Sequence, residues 1–288
     1  MGEKDITEKA LEDYNDVFAD IVNGFIFKGE QRVNPDDLTN ITARSQYKAD
    51  GKVHEMERDV AKYWAESNMD IAVCGIENQS KAEKEMPLRV FGYEGASYRQ
   101  QILERRERYI PVVTLVLYFG TEKRWNQPRS IKEIVDIPSE MEGYVNDLKI
   151  NVFEVAWLTE EEIECFNSDF RIVANFFAKK RVKKDYVPDD QQEIKHVDAL
   201  LKLLAVMAGD NRYEELLDDT SGKEIQNMCD VAERLENKGR IEGRKEGRAE
   251  GQSDLVNAIQ ELKKGTMPEE LLAKGYDQHT IDLAITCK

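Results

Sequence analysis

The chain has 288 residues, of which 34% are charged and 41% hydrophobic, and its formal net charge is −16 at pH 7. This length allows a substantial core, and one domain of about 200 residues with smaller appendages is expected. The acidic balance opposes loose electrostatic binding to nucleic acid, so any DNA contact needs a local basic patch. Because no apolar run reaches about 18 residues, no transmembrane helix is expected.

The chain has four cysteines and three histidines, all scattered, with no CxxC pair. This pattern argues against a zinc ribbon, a disulfide framework or a histidine-based metal site. The N-terminus is acidic and has no apolar stretch, so no signal peptide is expected. Together these features favour a reduced, cytoplasmic setting.

The first predicted element is a helix over residues 6–27, where apolar residues recur at helical spacing. Gly29 is the expected end of this helix. Asp20 and Asn23 lie three residues apart and therefore share one helix face, among large apolar neighbours.

Residues 57–81 have the pattern of two strands joined by a polar turn near Glu66–Asn68. If Asn68 is the centre of this hairpin, Asp59 and Glu77 each lie nine residues from it and face each other. Opposed residues of an antiparallel pair lie roughly 4.5–5.5 Å apart with their side chains on one face. Gln79 shares that face because side chains alternate along a strand. Two carboxylates and an amide therefore predict a divalent-metal site.

Asp70 is the competing acid on the second strand. It lies seven residues from Glu77, which is roughly 23 Å along a strand, and the odd separation turns it to the opposite face. A slip of the register by one residue would turn Asp59 away as well. The predicted site therefore depends on the position of the turn.

Beyond the hairpin the pattern alternates between helix and strand. A loop containing one proline and two glycines leads to a helix predicted from about Ala96 to Arg108. Ile110–Phe119 and Asn151–Leu158 are apolar runs typical of strands buried on both faces. This order of elements indicates an α/β architecture rather than a helical bundle.

The remainder of the chain has helical spacing. The predicted helices are Glu160–Lys184, His196–Met207, Glu214–Asn237 and two short ones that flank Gly275.

Glycine recurs every four residues within residues 238–252, and arginine and glutamate form parallel stripes beside it. Each interior glycine costs a helix roughly 0.8–1 kcal/mol relative to alanine. A bare glycine face nevertheless lets a second helix approach closely. Residues 238–252 are therefore either a helix that pairs with another chain or a flexible charged linker, and the sequence leaves both interpretations open.

Several motifs together resemble a known family. ERDVAKYW, GIENQSK, MPLRVFGYEGASYRQQ, the apolar strand that follows and the EGRKEGRAEG tail resemble the recombination-promoting nuclease/putative transposase family, a branch of the PD-(D/E)XK nuclease superfamily. The resemblance covers roughly residues 13–252, and its most specific piece is GIENQ followed seven residues later by MPLR.

The resemblance implies a PD-(D/E)XK-type mixed central sheet flanked by helices, followed by an all-helical C-terminal region. The expected boundaries are a nuclease-like domain over residues 1–190, a helical extension over 191–237, the repeat over 238–252 and a small helical segment over 253–288.

The resemblance also implies an activity, namely DNA cleavage by a Mg²⁺-dependent (or Mn²⁺-dependent) endonuclease linked to recombination or mobile DNA. The bound metal would activate a water that attacks the phosphodiester. Asp59 and Glu77 match the two metal-binding acids of the motif, and Asp20 matches an acid that many members supply from the first helix.

Gln79 stands where the superfamily usually carries lysine. Glutamine can orient a water or a phosphate oxygen, but it contributes no positive charge to the transition state. Lys81, Arg89 or Arg99 can replace the missing cation, and Arg89, Arg99 and Gln101 are the predicted DNA-binding residues.

A second class of function stays open beside the endonuclease. Gln79 and the acidic balance also fit a catalytically inactive, oligomeric DNA-associated or scaffold protein of the same fold. In either class, the C-terminal helical tail is expected to support a homo-oligomer.

Overall fold

The computed structural model describes residues 11–41, 44–49, 52–57, 59–66, 69–217 and 225–287. The chain divides into two compact units, Met1–Val231 and Ala232–Lys288. No described helix combines the length and the apolar character that crossing a bilayer requires.

The first unit is built around a mixed β-sheet. Its strands, in chain order, are β1 (Leu38–Asn40), β2 (Arg44–Ala49), β3 (Lys52–Glu57), β4 (Val60–Glu66), β5 (Met69–Gln79), β6 (Val112–Tyr118) and β7 (Asn151–Glu154). The central sheet has five strands in the order β1-β4-β5-β6-β7, and β2 and β3 form a separate antiparallel pair. β1, β4 and β5 are antiparallel neighbours, whereas β5, β6 and β7 are parallel. The predicted α/β class is confirmed.

Helices cover the sheet and make up the rest of the chain. They are α1 (Asn15–Phe27), α2 (Met86–Leu103), α3 (Glu160–Ile163), α4 (Asp169–Val182), α5 (Val197–Ala208), α6 (Arg212–Glu215), α7 (Met228–Lys263), α8 (Pro268–Ala273) and α9 (Gln278–Thr286). Short 3-10 turns occur at Pro35–Asp37, Ser139–Met141 and Val155–Trp157.

The first helix ends where the sequence predicts. α1 stops at Phe27, and Lys28 and Gly29 then adopt positive φ angles of 54° and 90°. Its start differs from the prediction, because a break at Asp13–Tyr14 separates α1 from the helical residues before it. Residues 6–10 of the predicted helix lie outside the described residues.

The prediction for the second helix is wrong at both ends, since α2 begins at Met86 and ends at Leu103. Pro87 lies in its first turn, where the missing N–H has no partner to lose. Gly92 and Gly95 lie inside the helix rather than in a loop. Burial of one face of α2 against the sheet outweighs their helix penalty of about 1 kcal/mol each.

Two further predictions are corrected in the segment after β6. The strand predicted over Asn151–Leu158 ends at Glu154 and continues as a 3-10 turn. The single helix predicted over Glu160–Lys184 is divided into α3 and α4. The division comes at Ser168, whose hydroxyl accepts a hydrogen bond from the backbone N–H of Phe170 and so begins a new helix.

The predictions for the buried strand at Ile110–Phe119 and the helix at His196–Met207 are confirmed by β6 and α5. The helix predicted over Glu214–Asn237 is not continuous. α6 ends at Glu215 and α7 begins at Met228, with residues 218–224 outside the described part of the chain.

The glycine repeat of residues 238–252 lies within α7, so this segment is helical rather than a flexible linker, and its pairing with another chain stays a prediction. The second unit has its own small core, made of Ala258, Leu262, Leu271, Ile281 and Ala284. The two short helices predicted around Gly275 are confirmed as α8 and α9, and Gly275 takes a φ of 94° between them.

Candidate functional site

β4 and β5 pair in the predicted register, with Val60 opposite Ile76. Asp59 directly precedes Val60, and the same register continued by one residue places it opposite Glu77. Nearer the turn, a bulge after Trp64 shifts the pairing by one residue. The predicted alignment is observed from Val60 to Trp64, on the other side of the bulge from the turn.

Glu77 and Gln79 point to the face of the sheet that α2 covers. β6 aligns Val116 with Glu77 and Tyr118 with Gln79, and in a parallel pair such aligned side chains share a face. Val116 and Tyr118 pack in one cluster with Met86, the first residue of α2. The carboxylate of Glu77 is therefore buried between the sheet and α2.

Arg89 on α2 connects the polar groups of this region. One guanidinium nitrogen donates to Oε1 of Glu77, and the other terminal nitrogen donates to Oε2 of Glu83 at 2.9 Å. The Tyr93 hydroxyl accepts from Nε and Nη2 of Arg89 at 3.3 and 3.2 Å. Nε2 of Gln79 approaches the same Glu77 oxygen at 3.4 Å. Five polar side chains thus converge on one end of β5.

Asp59 is fixed to the same strand by a backbone contact. Its Oδ2 accepts a hydrogen bond of 2.7 Å from the N–H of Asn78, the residue after Glu77. Burial, followed by the charge of Glu77 and, more weakly, that of Asp59, raises the pKa of Tyr93 to about 12. Asp59 and Glu77 therefore both act electrostatically on Tyr93.

Arg89 carries the positive charge of this site. Burial lowers the pKa of its guanidinium, but the nearby Glu77 carboxylate and the Tyr93 hydroxyl outweigh that effect, and the pKa is raised overall. Arg89 therefore stays protonated and neutralises a carboxylate that would otherwise be costly to bury.

The chemistry of the donors fits a hard divalent cation such as Mg²⁺ or Mn²⁺. Carboxylate and amide oxygens are its preferred ligands, and the contact with Arg89 shows that the Glu77 carboxylate already attracts a positive charge. Among the described residues, no three Asp, Glu, His or Cys side chains are arranged to hold a metal. Asp59 and Glu77 would therefore be the protein ligands of an ion here. Two carboxylates are enough for Mg²⁺, because the ion usually keeps several water ligands.

Asp20, the third predicted metal ligand, does not join this site. Its carboxylate accepts hydrogen bonds from the N–H groups of Asn167 and Ser168 and from the Ser168 hydroxyl, at 2.7 to 3.0 Å. α1, which carries Asp20, packs on the other face of the sheet, where the ammonium of Lys62 lies 5.5 Å from the Phe18 ring. Asp20 thus joins α1 to the start of α4, a role that helical spacing alone does not reveal.

Two of the other predicted residues also lie elsewhere. Gln101 is buried, and its amide donates to the Ile110 carbonyl at 3.1 Å and accepts from the Ile110 N–H at 2.9 Å. Both ends of the amide are therefore used by the backbone of Ile110 inside the fold. Lys81, a predicted substitute for the missing cation, is exposed in the bend after Gln79, beyond the end of β5. Arg99 is exposed on α2.

Tyr93 and Glu83 belong to this cluster and were not predicted from the sequence. Tyr93 follows Arg89 by four residues, a spacing that places both on one face of a helix. That signal becomes visible only when α2 is extended back to Met86, across the two glycines that suggest a loop.

The family model described as "Putative transposase, YhgA-like" matches residues 66–205 of this chain. The matched segment contains Glu77, Gln79 and Arg89, whereas Asp59 lies before it. Comparison with curated proteins and with solved structures gave no match. Residues 66–205, just under half of the chain, are therefore similar to the YhgA-like putative transposases.

Proposed function

We propose that the protein is a Mg²⁺-dependent DNA endonuclease of the PD-(D/E)XK type, acting in recombination or on mobile DNA. The observation that carries this proposal is the register of β4 and β5. Val60 pairs with Ile76, and the same register continued by one residue would set Asp59 opposite Glu77, whose carboxylate contacts Gln79 and Arg89. The similarity of residues 66–205 to the YhgA-like putative transposases supports a role on mobile DNA.

In this proposal, Asp59 and Glu77 would hold the ion. When bound, the ion would lower the pKa of a water and neutralise charge that develops on the phosphate. Gln79 would orient a water or a phosphate oxygen. Arg89 would supply the positive charge that glutamine cannot, since a guanidinium binds phosphate oxygens in a planar, bidentate way.

A local basic patch supports contact with DNA despite the acidic balance of the chain. Lys81, Lys123 and Lys180 line one cavity of about 450 Å³. Ser80, directly after Gln79 of the site, lines it as well. If these lysines neutralise phosphates, the DNA-binding constant would fall as salt is added. A plot of its logarithm against the logarithm of the salt concentration would have a slope of about −0.9 for each phosphate contacted on duplex DNA.

We extend the proposal to self-association through the glycine-striped part of α7. No atom of the described residues lies within 4 Å of the place that a Cβ would take on Gly239, Gly243, Gly247 and Gly251. A row of glycines at this spacing forms a groove into which a second helix can pack closely. The flanking arginine and glutamate stripes would then pair between two copies.

Cleavage of supercoiled plasmid in the presence of Mg²⁺ or Mn²⁺ tests the nuclease proposal. Asp59→Asn and Glu77→Gln remove a ligand charge with little change in volume, and both are expected to reduce cleavage at least 100-fold. Asp70→Asn is the matched control on the same strand, and it should retain activity because Asp70 lies near the turn. Undiminished cleavage by both site variants would refute the assignment.

One observation favours the second candidate, a catalytically inactive DNA-associated protein. Arg89 already occupies an oxygen of Glu77, and no lysine stands at position 79. Isothermal titration of the wild type with Mn²⁺ separates the two candidates. Absence of both metal binding and cleavage, together with retained DNA binding, would establish the inactive form.

A further inference from the structure

One face of α2 carries large apolar side chains that the fold leaves exposed. Leu88, Phe91, Tyr98 and Ile102 are 40, 54, 40 and 58% exposed, and Gly95 lies between them. These five positions are separated by three, four, three and four residues, which is the spacing of a coiled-coil seam. They form a single stripe along the helix, which is called the α2 seam below.

Gly95 lies at the centre of the seam, in the interior of the helix. A Cβ built on Gly95 would meet no atom within 4 Å among the described residues. Alanine would be favoured at an exposed helix position of this kind, because glycine loses more backbone entropy on folding. Contacts within the described chain therefore do not account for glycine here, whereas close approach of another helix would.

The α2 seam is nearly symmetric about Gly95: on each side, an aromatic residue comes first and an aliphatic residue second. Leu88 and Ile102 each lie seven residues from Gly95, while Phe91 and Tyr98 lie four and three residues from it. In an antiparallel pair of two identical helices, Gly95 would meet Gly95, each aromatic ring would meet the partner's other ring, and leucine would meet isoleucine. Such self-complementarity is the requirement for a two-fold symmetric contact.

We propose that the α2 seam is the contact of a two-fold symmetric dimer of this protein, with the axis at Gly95. Packed helices have interaxial distances of about 8–10 Å, and Cα atoms lie about 2.3 Å from each helix axis. The two Gly95 Cα atoms would then be separated by roughly 3.5–5.5 Å.

The area of the seam indicates a dimer of modest strength. Its four large side chains would bury roughly 400 Å² per copy, judged from the size of aromatic residues, against about 800 Å² per partner in a standard interface. The apolar surface continues beyond Phe91, which lines a cavity of about 690 Å³ together with Ile131 and Leu148. Dimerisation through this face is therefore expected to depend on concentration.

Oxidative cross-linking of a cysteine at position 95 tests the axis directly. Only at a two-fold axis does a position meet its own counterpart, and the expected Cα separation overlaps the range of roughly 4.4–6.8 Å that a disulfide spans. We expect Gly95→Cys, in the full chain with the exposed Cys287 changed to serine, to form a disulfide-linked dimer rapidly. Arg99→Cys in the same background is the control. Its counterpart in the partner would be eight residues away along α2, about 12 Å.

A second measurement uses the uncross-linked chain. Phe91→Glu and Ile102→Glu are expected to abolish cross-linking through position 95 and to weaken dimerisation in sedimentation velocity at least tenfold. Val182→Glu adds the same charge at an exposed residue at the end of α4 and should change neither result. Circular dichroism checks that each variant is folded.

Equal cross-linking of Gly95→Cys and Arg99→Cys would overturn the proposal. Dimers that survive both glutamate variants and give no disulfide at position 95 would also overturn it, and would point to association through α7 or another surface. None of these readouts measures DNA cleavage, so the test is independent of the nuclease proposal.

Discussion

The guanidinium of Arg89 donates a hydrogen bond to the buried carboxylate of Glu77, joining α2 to β5 at the candidate metal site. The Arg89 side chain is 33% exposed, whereas that of Glu77 is 1% exposed. Removing the arginine would therefore leave a buried charge without its main neutralising partner, which is far more costly than losing a pair at the surface.

We expect Arg89→Met to lower the free energy of unfolding by about 2–3 kcal/mol in the absence of divalent ions. This value is smaller than the usual cost of breaking a fully buried ion pair, because Arg89 is partly exposed to solvent. Addition of Mg²⁺ should recover more stability in Arg89→Met than in the wild type, because the ion can take over the neutralisation of Glu77. Urea unfolding with and without Mg²⁺ measures both effects. Arg99→Met, an exposed arginine on the same helix, is the control. A variant that Mg²⁺ fails to stabilise would argue against a metal at Glu77.

Gln101→Leu should destabilise the protein by about 1–3 kcal/mol, because the backbone N–H and C=O of Ile110 would lose their buried partner. The neighbouring Gln100 donates to Glu104 at the surface, so Gln100→Leu should change stability by less than about 0.5 kcal/mol. Thermal or urea denaturation distinguishes the two variants. If Gln101→Leu retains full stability but loses DNA affinity, the residue contacts DNA after all.

Asp20→Asn should change the pH dependence of stability. Burial raises the pKa of Asp20 above its ordinary value of 3.8, against the lowering effect of its hydrogen bonds to Ser168 and Asn167. The folded state thus holds the proton more tightly than the unfolded chain. The free energy of unfolding therefore falls as pH rises from 3.8 through the folded-state value.

The asparagine variant lacks this contribution, so its stability relative to the wild type should increase over that pH window and then level off. Urea unfolding of both proteins at several pH values between about 3.5 and 7 measures the difference. A constant difference would show that Asp20 ionises normally in the fold. Mg²⁺-dependent cleavage should survive this substitution, since Asp20 lies on the other face of the sheet.

Tyr93 should make the protein sensitive to alkali. Its pKa of about 12 in the folded state, caused first by burial and then by the charge of Glu77, lies above the ordinary value of 10.0. The contribution of the Tyr93 hydroxyl to the free energy of unfolding is therefore fully present below pH 10. It is lost as pH rises from 10 to 12, by about 2–3 kcal/mol. Tyr93→Phe should remove this loss, with the exposed Tyr144→Phe as the control for losing one tyrosine.

Absorbance at 295 nm provides a direct check on the role of Glu77. Replacing the carboxylate in Glu77→Gln should move the titration of Tyr93 to lower pH, because the second-largest cause of its raised pKa is gone. An unchanged titration would mean that Tyr93 and Glu77 do not interact.

The glycine stripe of α7 gives opposite expectations for a lone helix and for a paired one. Gly243→Ala with Gly247→Ala should stabilise a lone helix by about 0.5–1 kcal/mol per site. If two copies pair through the glycine face, the added methyl groups should instead weaken self-association. We expect the second result in sedimentation equilibrium, with Ser253→Ala, another exposed position of α7, as the control.

The local pattern of the sequence was sufficient to predict the register of β4 and β5 from Val60 to Trp64. Alternating strand residues and a polar turn favour that pairing, whereas the shared site of Asp59 and Glu77 stays a prediction. The break between α8 and α9 could be predicted because glycine at position 275 readily adopts a positive φ. The buried strand β6 could be predicted from the apolar run that ends at Phe119.

Other features depend on contacts that a sequence pattern does not contain. The start of α2 at Met86 is decided by packing against β6, which outweighs two helix-weakening glycines. The role of Asp20 depends on Ser168, which is 148 residues away along the chain. The pairing of β2 with β3 was not predicted, because short polar strands outside the central sheet give little hydrophobic signal.

The bulge after Trp64 gives β4 and β5 one pairing register near the turn and another from Trp64 to Val60. One residue of β5, Ile71, has no partner in the register, so Trp64 pairs with Ala72 while Ala65 pairs with Asp70. The loop at the tip of the hairpin can therefore differ in length between relatives while the far end of the ribbon keeps its alignment. Natural variation is expected to gather at the tip and to spare the base, where the two carboxylates lie.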